Sequence, residues 1–148
     1  MNEVTVRPCA GPEEYPRLVA IWRSAVDATH DFLADDDRAR IEELLPTAYL
    51  PHVRLFVAER AGRVVGFAGV SGASLEMLFV DAADRGSGVG SALLAHVVDE
   101  CGVTTVDVNE QNTQAVGFYA RAGFTVTGRS PVDDEGRPYP LLHLALTR

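Results

Sequence analysis

Residues Leu78–Leu94 read L-F-V-D-A-A-D-R-G-S-G-V-G-S-A-L-L. The stretch runs from a β-forming segment, Leu75–Asp81, through a glycine-rich segment, Arg85–Gly90, into a helix predicted over Ser91–Glu100. Leu93, Leu94, Val97 and Val98 would form the buried face of that helix. Gly86, Gly88 and Gly90 let a backbone turn tightly and approach a ligand with no Cβ in the way. The amides of Arg85, Gly86, Ser87, Gly88, Val89, Gly90 and Ser91 join the free N–H groups that open the next helix to make an anion site. A pyrophosphate is its natural occupant, and Arg85 supplies a charge-assisted contact. A tight strand-to-helix turn with no ligand is the other reading of the same residues. The dinucleotide fingerprint G-x-G-x-x-G is not met, because these glycines follow G-x-G-x-G spacing after a late strand.

Downstream, a strand is predicted over Val103–Val108, a helix over Asn112–Ala122 stopped by Gly123, and strands over Phe124–Thr127 and Leu141–Leu146, with a loop between. Asn112 and Tyr119, seven residues apart, fall on one helical face roughly 10 Å apart along the axis. That face suits an extended thin ligand, although a half-buried tyrosine that only packs is equally familiar. Upstream, Val4–Val6 reads as a strand, and Gly11-Pro12 breaks it. A helix opens at Pro12-Glu13-Glu14 and runs to about Asp27, burying Leu18, Ile21, Trp22, Ala25 and Val26. A second helix is predicted over Asp31–Leu45, ended by Pro46. Arg54–Glu59 and Arg63–Ser71 form a hairpin through Arg60-Ala61-Gly62. Helices and strands alternate late but not early, so the class is mixed α/β rather than a doubly wound parallel sheet.

The 148 residues suit one domain, 1–148, and 47% apolar with 23% charged residues is the composition of a globular chain with a core. Nothing approaches the roughly 20 apolar residues of a membrane span, and the N-terminus lacks a signal-peptide pattern, so the expectation is a cytoplasmic protein with no membrane association. A net charge of −8 argues against nucleic acid and leans toward a cationic substrate. Cys9 and Cys101 read as small core residues, and the four histidines have no metal-ligand spacing with them, so no metal is expected. All thirteen basic residues are arginine, which rules out Schiff-base chemistry and a Walker-type phosphate loop.

Taken together, Leu78–Leu94 and N-x-x-A-V-G-F-Y-x-R-x-G-F at Asn112–Phe124 resemble the GNAT superfamily of N-acetyltransferases. Arg85, Gly88 and Gly90 match its R/Q-x-x-G-x-G/A pattern. A narrower resemblance, to the bacterial YjaB-like branch, lies in Trp22–Leu33, Val108–Asn112 and Thr127–Leu142, and implies protein lysine as one acceptor. The resemblance implies a central, mostly antiparallel sheet of about seven strands with about four helices, and acetyl-CoA as co-substrate. Backbone amides around Leu78, Phe79 and Val80 would pair with the pantetheine arm, residues 85–91 would hold the pyrophosphate, Asn112 would contact the arm, and Tyr119 would assist the departing thiolate. The acceptor would be a small amine or a protein lysine, attacking the thioester directly. Glu76 is the first candidate for the base, on the ground that it shares strand parity with Leu78 and Val80. His30 is the second. Trp22, His30 and Phe32 border the acceptor side, and Asp133 and Asp134 are candidates to attract a cationic acceptor. A non-catalytic acyl-CoA sensor is the competing function, and an exposed sheet edge would suit a homodimer.

Overall fold

Ala61 and Gly62 both take positive φ, 54° and 76°, the conformation that lets a two-residue loop match the right-handed twist of its flanking strands. They close a hairpin between β2, Arg54–Arg60, and β3, Arg63–Ser71, with Arg60 opposite Arg63. β1, Val4–Pro8, and β4, Ser74–Val80, flank this pair in the antiparallel order β1-β2-β3-β4. The computed structural model describes residues 3–29 and 31–147. Its contacts gather into two compact units, residues up to Val103 and residues from Thr104.

In the first unit, strand alternation sends Val57 and Phe67 to one face of the sheet. There they meet Leu18, Ile21, Trp22 and Val26 of α1, Tyr15–Thr29, together with Leu45 and Leu50. Gly66, next to Phe67, serves the other face. A Cβ on it would lie 2.9 Å from Val89 Cγ1 and 3.1 Å from Leu93 Cδ1. The missing side chain is what lets α3, Val89–Cys101, lie close on β3. The face of α3 expected to be buried is buried at Leu93, Leu94 and Val97, with Val89 added and Val98 half-buried.

The second helix differs from expectation. α2 spans Asp35–Leu44 and buries none of its residues fully, and Pro46 does not stop the chain's coiling. Leu45–Tyr49 forms a π-turn and Leu50–His52 a 3-10 turn. Pro46 sits in the first turn of the π segment, where its missing N–H widens the ladder without leaving a donor unpaired.

The second unit holds β5, Thr105–Asn109; α4, Thr113–Arg121; β6, Phe124–Ser130; and β7, Leu141–Leu146. β7 lies between the other two strands and is antiparallel to both. In the loop before it, Asp133 accepts from the backbone N–H groups of Glu135 at 3.0 Å and Arg137 at 2.8 Å. That carboxylate therefore builds its own turn. The described residues form seven strands and four α-helices in the order read from the sequence, a mixed α/β chain. Among them no helix is long and apolar enough to cross a membrane. Cys9 and Cys101 are free thiols, each half-buried.

Candidate active site

The glycine loop is held from below. Asp81 caps the 3-10 turn Ala82–Asp84 by accepting from the Ala83 N–H at 3.2 Å. It also accepts from Arg17 at 2.9 Å and from the Ser24 hydroxyl at 3.1 Å. Burial pushes the Asp81 carboxyl up, but the Ala83 amide, Arg17 and Ser24 outweigh it, and the group sits below its ordinary value. Asp84 is buried between two guanidinium groups, Arg60 and Arg63, each at 3.2 Å. Arg60 donates a further bond to the Ser87 carbonyl at 3.1 Å. Because the two dipoles of a trans peptide point in opposite directions, fixing that carbonyl toward β2 turns the Gly88 N–H away from it.

Gly86 and Gly88 take φ values of 75° and 88°, and a Cβ built on either would meet nothing within 4 Å. The loop surface is therefore open backbone in a conformation that side chains disfavour by about 1–2 kcal/mol. Gly88 is the N-cap of α3, and the first turn of that helix carries no acidic residue. Its leading N–H groups have no intrahelical acceptor. Open amides, a helix N-terminus and an exposed Arg85 fit the pyrophosphate of a coenzyme. Gly90, the third glycine, is an ordinary helical residue, the second of α3.

β4 carries a bulge where the strand reaches Glu76. Gly69 pairs with Met77 and Val70 with Leu75, so Glu76 is the extra residue of the bulge. The expectation that Glu76 shares parity with Leu78 and Val80 is therefore wrong, because the extra residue reverses the phase. Glu76 instead lines a cleft of about 370 Å³ together with Met77 and Phe79. Trp22, Tyr49 and His52 contribute to the same cleft. Trp22 is both core and cleft wall, only 4% exposed. Phe32 is half-buried and does not line this cleft, and His30 lies outside the described residues. Tyr49 and His52 were not anticipated. They reach the cleft through the π and 3-10 turns that follow Pro46, which local sequence signals did not predict.

In the second unit, Asn112 is the N-cap of α4 rather than a residue within it, and its side-chain oxygen accepts from the Ala115 N–H at 3.2 Å. Asn109 makes the preceding turn, its side chain accepting from the Gln111 N–H at 2.8 Å. Tyr119 is buried, with its ring edge-on to Phe118 at 5.2 Å and to Phe124 at 5.7 Å between centroids. Desolvation raises its hydroxyl pKa well above that of a free tyrosine. The group is thus a standing proton donor that does not ionise at neutral pH. These arrangements can seat an anion on a helix N-terminus, hold a carboxylate against apolar walls, and present a neutral phenol.

Residues 26–139 match the family described as acetyltransferase (GNAT) domain. The chain is 51% identical over 133 residues to peptidyl-lysine N-acetyltransferase YjaB of Salmonella typhimurium, covering 89% of this chain and 91% of that one. It is equally similar, 51% over 134 residues, to YjaB of Escherichia coli, covering 90% of each. The solution structure of apo-form YjaB from Escherichia coli matches with a TM-score of 0.90 at 47% identity, covering 98% of both chains.

Proposed function

Because the chain belongs to the GNAT acetyltransferase family, and so moves an acetyl group from acetyl-CoA to an amine, we propose that its acceptor is the side chain of a peptidyl lysine. The observation that carries this reading is the bulged Glu76 in a cleft walled by Trp22, Met77 and Phe79. Apolar walls suit the methylene stem of a lysine, and a carboxylate suits its ammonium. The name carried by the 51%-identical relatives points the same way.

A lysine ammonium has a pKa of about 10.4, so presenting it neutral at pH 7 costs about 4.6 kcal/mol at 1.36 kcal/mol per unit. Glu76 lowers that barrier as base, directly or through a water. Trp22 orients the acceptor stem. Acetyl-CoA supplies the activated acetyl group. The loop amides of residues 85–91 bind its pyrophosphate, with Arg60 and Asp84 fixing the loop. Backbone N–H groups of residues 78–80 hold the pantetheine arm, one of them facing the thioester oxygen. Asn112 sets the start of α4, and the Tyr119 hydroxyl donates to the departing sulfur. We propose that both units belong to one catalytic domain, a reading supported by the family match, which runs from residue 26 to 139.

The test is thiol release from acetyl-CoA with lysine peptides, polyamines, amino acids and aminoglycosides as acceptors. Turnover is expected with lysine peptides and should fall when the lysine is replaced by arginine. Release that no lysine peptide stimulates would overturn the proposed acceptor.

A further inference from the structure

On the sheet of the second unit three polar side chains from three adjacent strands form one hydrogen-bonded line. Asp107 on β5 and His143 on β7 are register partners, and Asp107 Oδ1 lies 2.7 Å from His143 Nδ1. On the other side, His143 Nε2 lies 2.7 Å from Ser130 Oγ on β6. An ionised carboxylate only accepts, so in the neutral ring Nδ1 carries the proton and Nε2 presents its lone pair to the serine hydroxyl.

The backbone is shaped for this line. β6 has a bulge at Thr127, since Val126 pairs with Leu144 and Gly128 with His143. The Thr127 hydroxyl donates to the His143 carbonyl at 3.2 Å. The imidazole then lies over Gly128, where an added Cβ would sit 3.4 Å from His143 Cδ2. The side chains of His143 and Asp107 are 35% and 47% exposed, so a small reagent can reach them. None of the three residues has a part in the acetyl transfer described above.

We propose that Ser130 is an acyl-accepting nucleophile, acetylated by activated acetyl donors of the thioester or aryl-ester class, with His143 as its base and Asp107 as the group that orients the ring. The Ser130 oxygen attacks the donor carbonyl while its proton passes to His143 Nε2. The bond to sulfur or aryl oxygen breaks, and the leaving group takes the proton from the imidazolium. The products are acetyl-Ser130 and a free thiol or phenol, and the ring returns to its starting tautomer. Asp107 stabilises the transient imidazolium by charge, as in a Ser-His-Asp arrangement.

The absence of lysine makes the experiment clean, because no side-chain amine competes for the label. The full chain is incubated with acetyl-CoA in one arm and p-nitrophenyl acetate in the other, and the acetyl group is located by intact mass and peptide mapping. The aryl ester needs no coenzyme site, so this arm stands even if the lysine acceptor or the pyrophosphate loop is misassigned. Acetylation is expected on Ser130, slowed about 10²-fold or more in His143→Gln. A comparable loss is expected in Asp107→Asn, which upsets the tautomer. In Ser130→Cys the new thiol should take the label faster than Cys9 or Cys101. Labelling by the aryl ester alone supports the nucleophile and narrows its donor. Label found only on other residues, or an unchanged rate in a folded His143→Gln variant, would overturn the proposal.

Discussion

Tyr119→Phe removes one oxygen from a ring that is otherwise fixed by aromatic neighbours, Phe118 at 5.2 Å and Phe124 at 5.7 Å. The phenylalanine ring can keep both edge contacts, so the variant should fold. Burial raises the Tyr119 pKa, which makes the hydroxyl a weaker acid than free tyrosine at about 10. Full proton transfer to a thiolate of pKa about 8.5 is already uphill by about 2 kcal/mol for a free tyrosine, and burial makes it more so. In the proposed mechanism Tyr119 would therefore act as a hydrogen-bond donor to developing negative charge rather than as a full proton donor. A hydrogen bond to a charged partner contributes about 1.5–3 kcal/mol, roughly a 10- to 150-fold change in rate. The loss should fall on kcat, because the charge exists only while the C–S bond breaks. Steady-state kinetics on a lysine peptide, with calorimetric titration of acetyl-CoA, separates this from a binding effect. Stability supplies a second readout. A phenol whose pKa is raised on folding contributes fully below its unfolded value, about 10, and that contribution is lost as pH rises through the folded value. Wild type should thus lose stability above about pH 10 in a way the phenylalanine variant does not. An unchanged kcat would refute the donor role and leave Tyr119 as packing alone.

Three further expectations follow from the geometry. Arg60→Gln removes the bonds to Asp84 and the Ser87 carbonyl; acetyl-CoA affinity by calorimetry should weaken by roughly tenfold, about 1–2 kcal/mol, with kcat at saturation little changed, and an unaltered Kd would detach Arg60 from the loop. Glu76→Gln should lower kcat/KM by about 10²-fold near neutrality and recover in part as alkaline pH deprotonates the acceptor; a flat ratio across the pH range excludes Glu76 as base. Arg7 grips Glu14 through two nitrogens, at 3.0 and 2.7 Å, and holds its carboxyl down to about 2 from 4.5. A depressed carboxyl stabilises above its unfolded pKa, and that stability fades as pH falls from 4.5 toward 2. With Arg7 partly exposed to solvent, Glu14→Gln should destabilise by about 1–2 kcal/mol at pH 7, a difference that urea titrations should find closing near pH 2.

What the chain determined by itself is what short-range chemistry controls. Gly86 and Gly88 announce a tight turn, Gly123 announces a helix stop, and Arg60-Ala61-Gly62 announces a hairpin turn, each through residues within one turn of one another. The family signature is legible for the same reason, since it lies in two contiguous runs, Leu78–Leu94 and Asn112–Phe124. Tertiary structure decided the rest. The phase of Glu76 depends on how β3 pairs across from it, and no count along β4 reveals a residue skipped by its neighbour. Pro46 looked like a stop, yet Leu45 and Leu50 are buried with α1, and that burial draws the chain on through a π-turn. Asp84 reads as a loop acid until Arg60 and Arg63 close on it from the strands of a hairpin more than twenty residues earlier. Asp107, Ser130 and His143 have no common motif. Only antiparallel pairing on both sides of β7 brings a serine, an imidazole and a carboxylate into one line, because cross-strand contact follows register rather than distance along the chain.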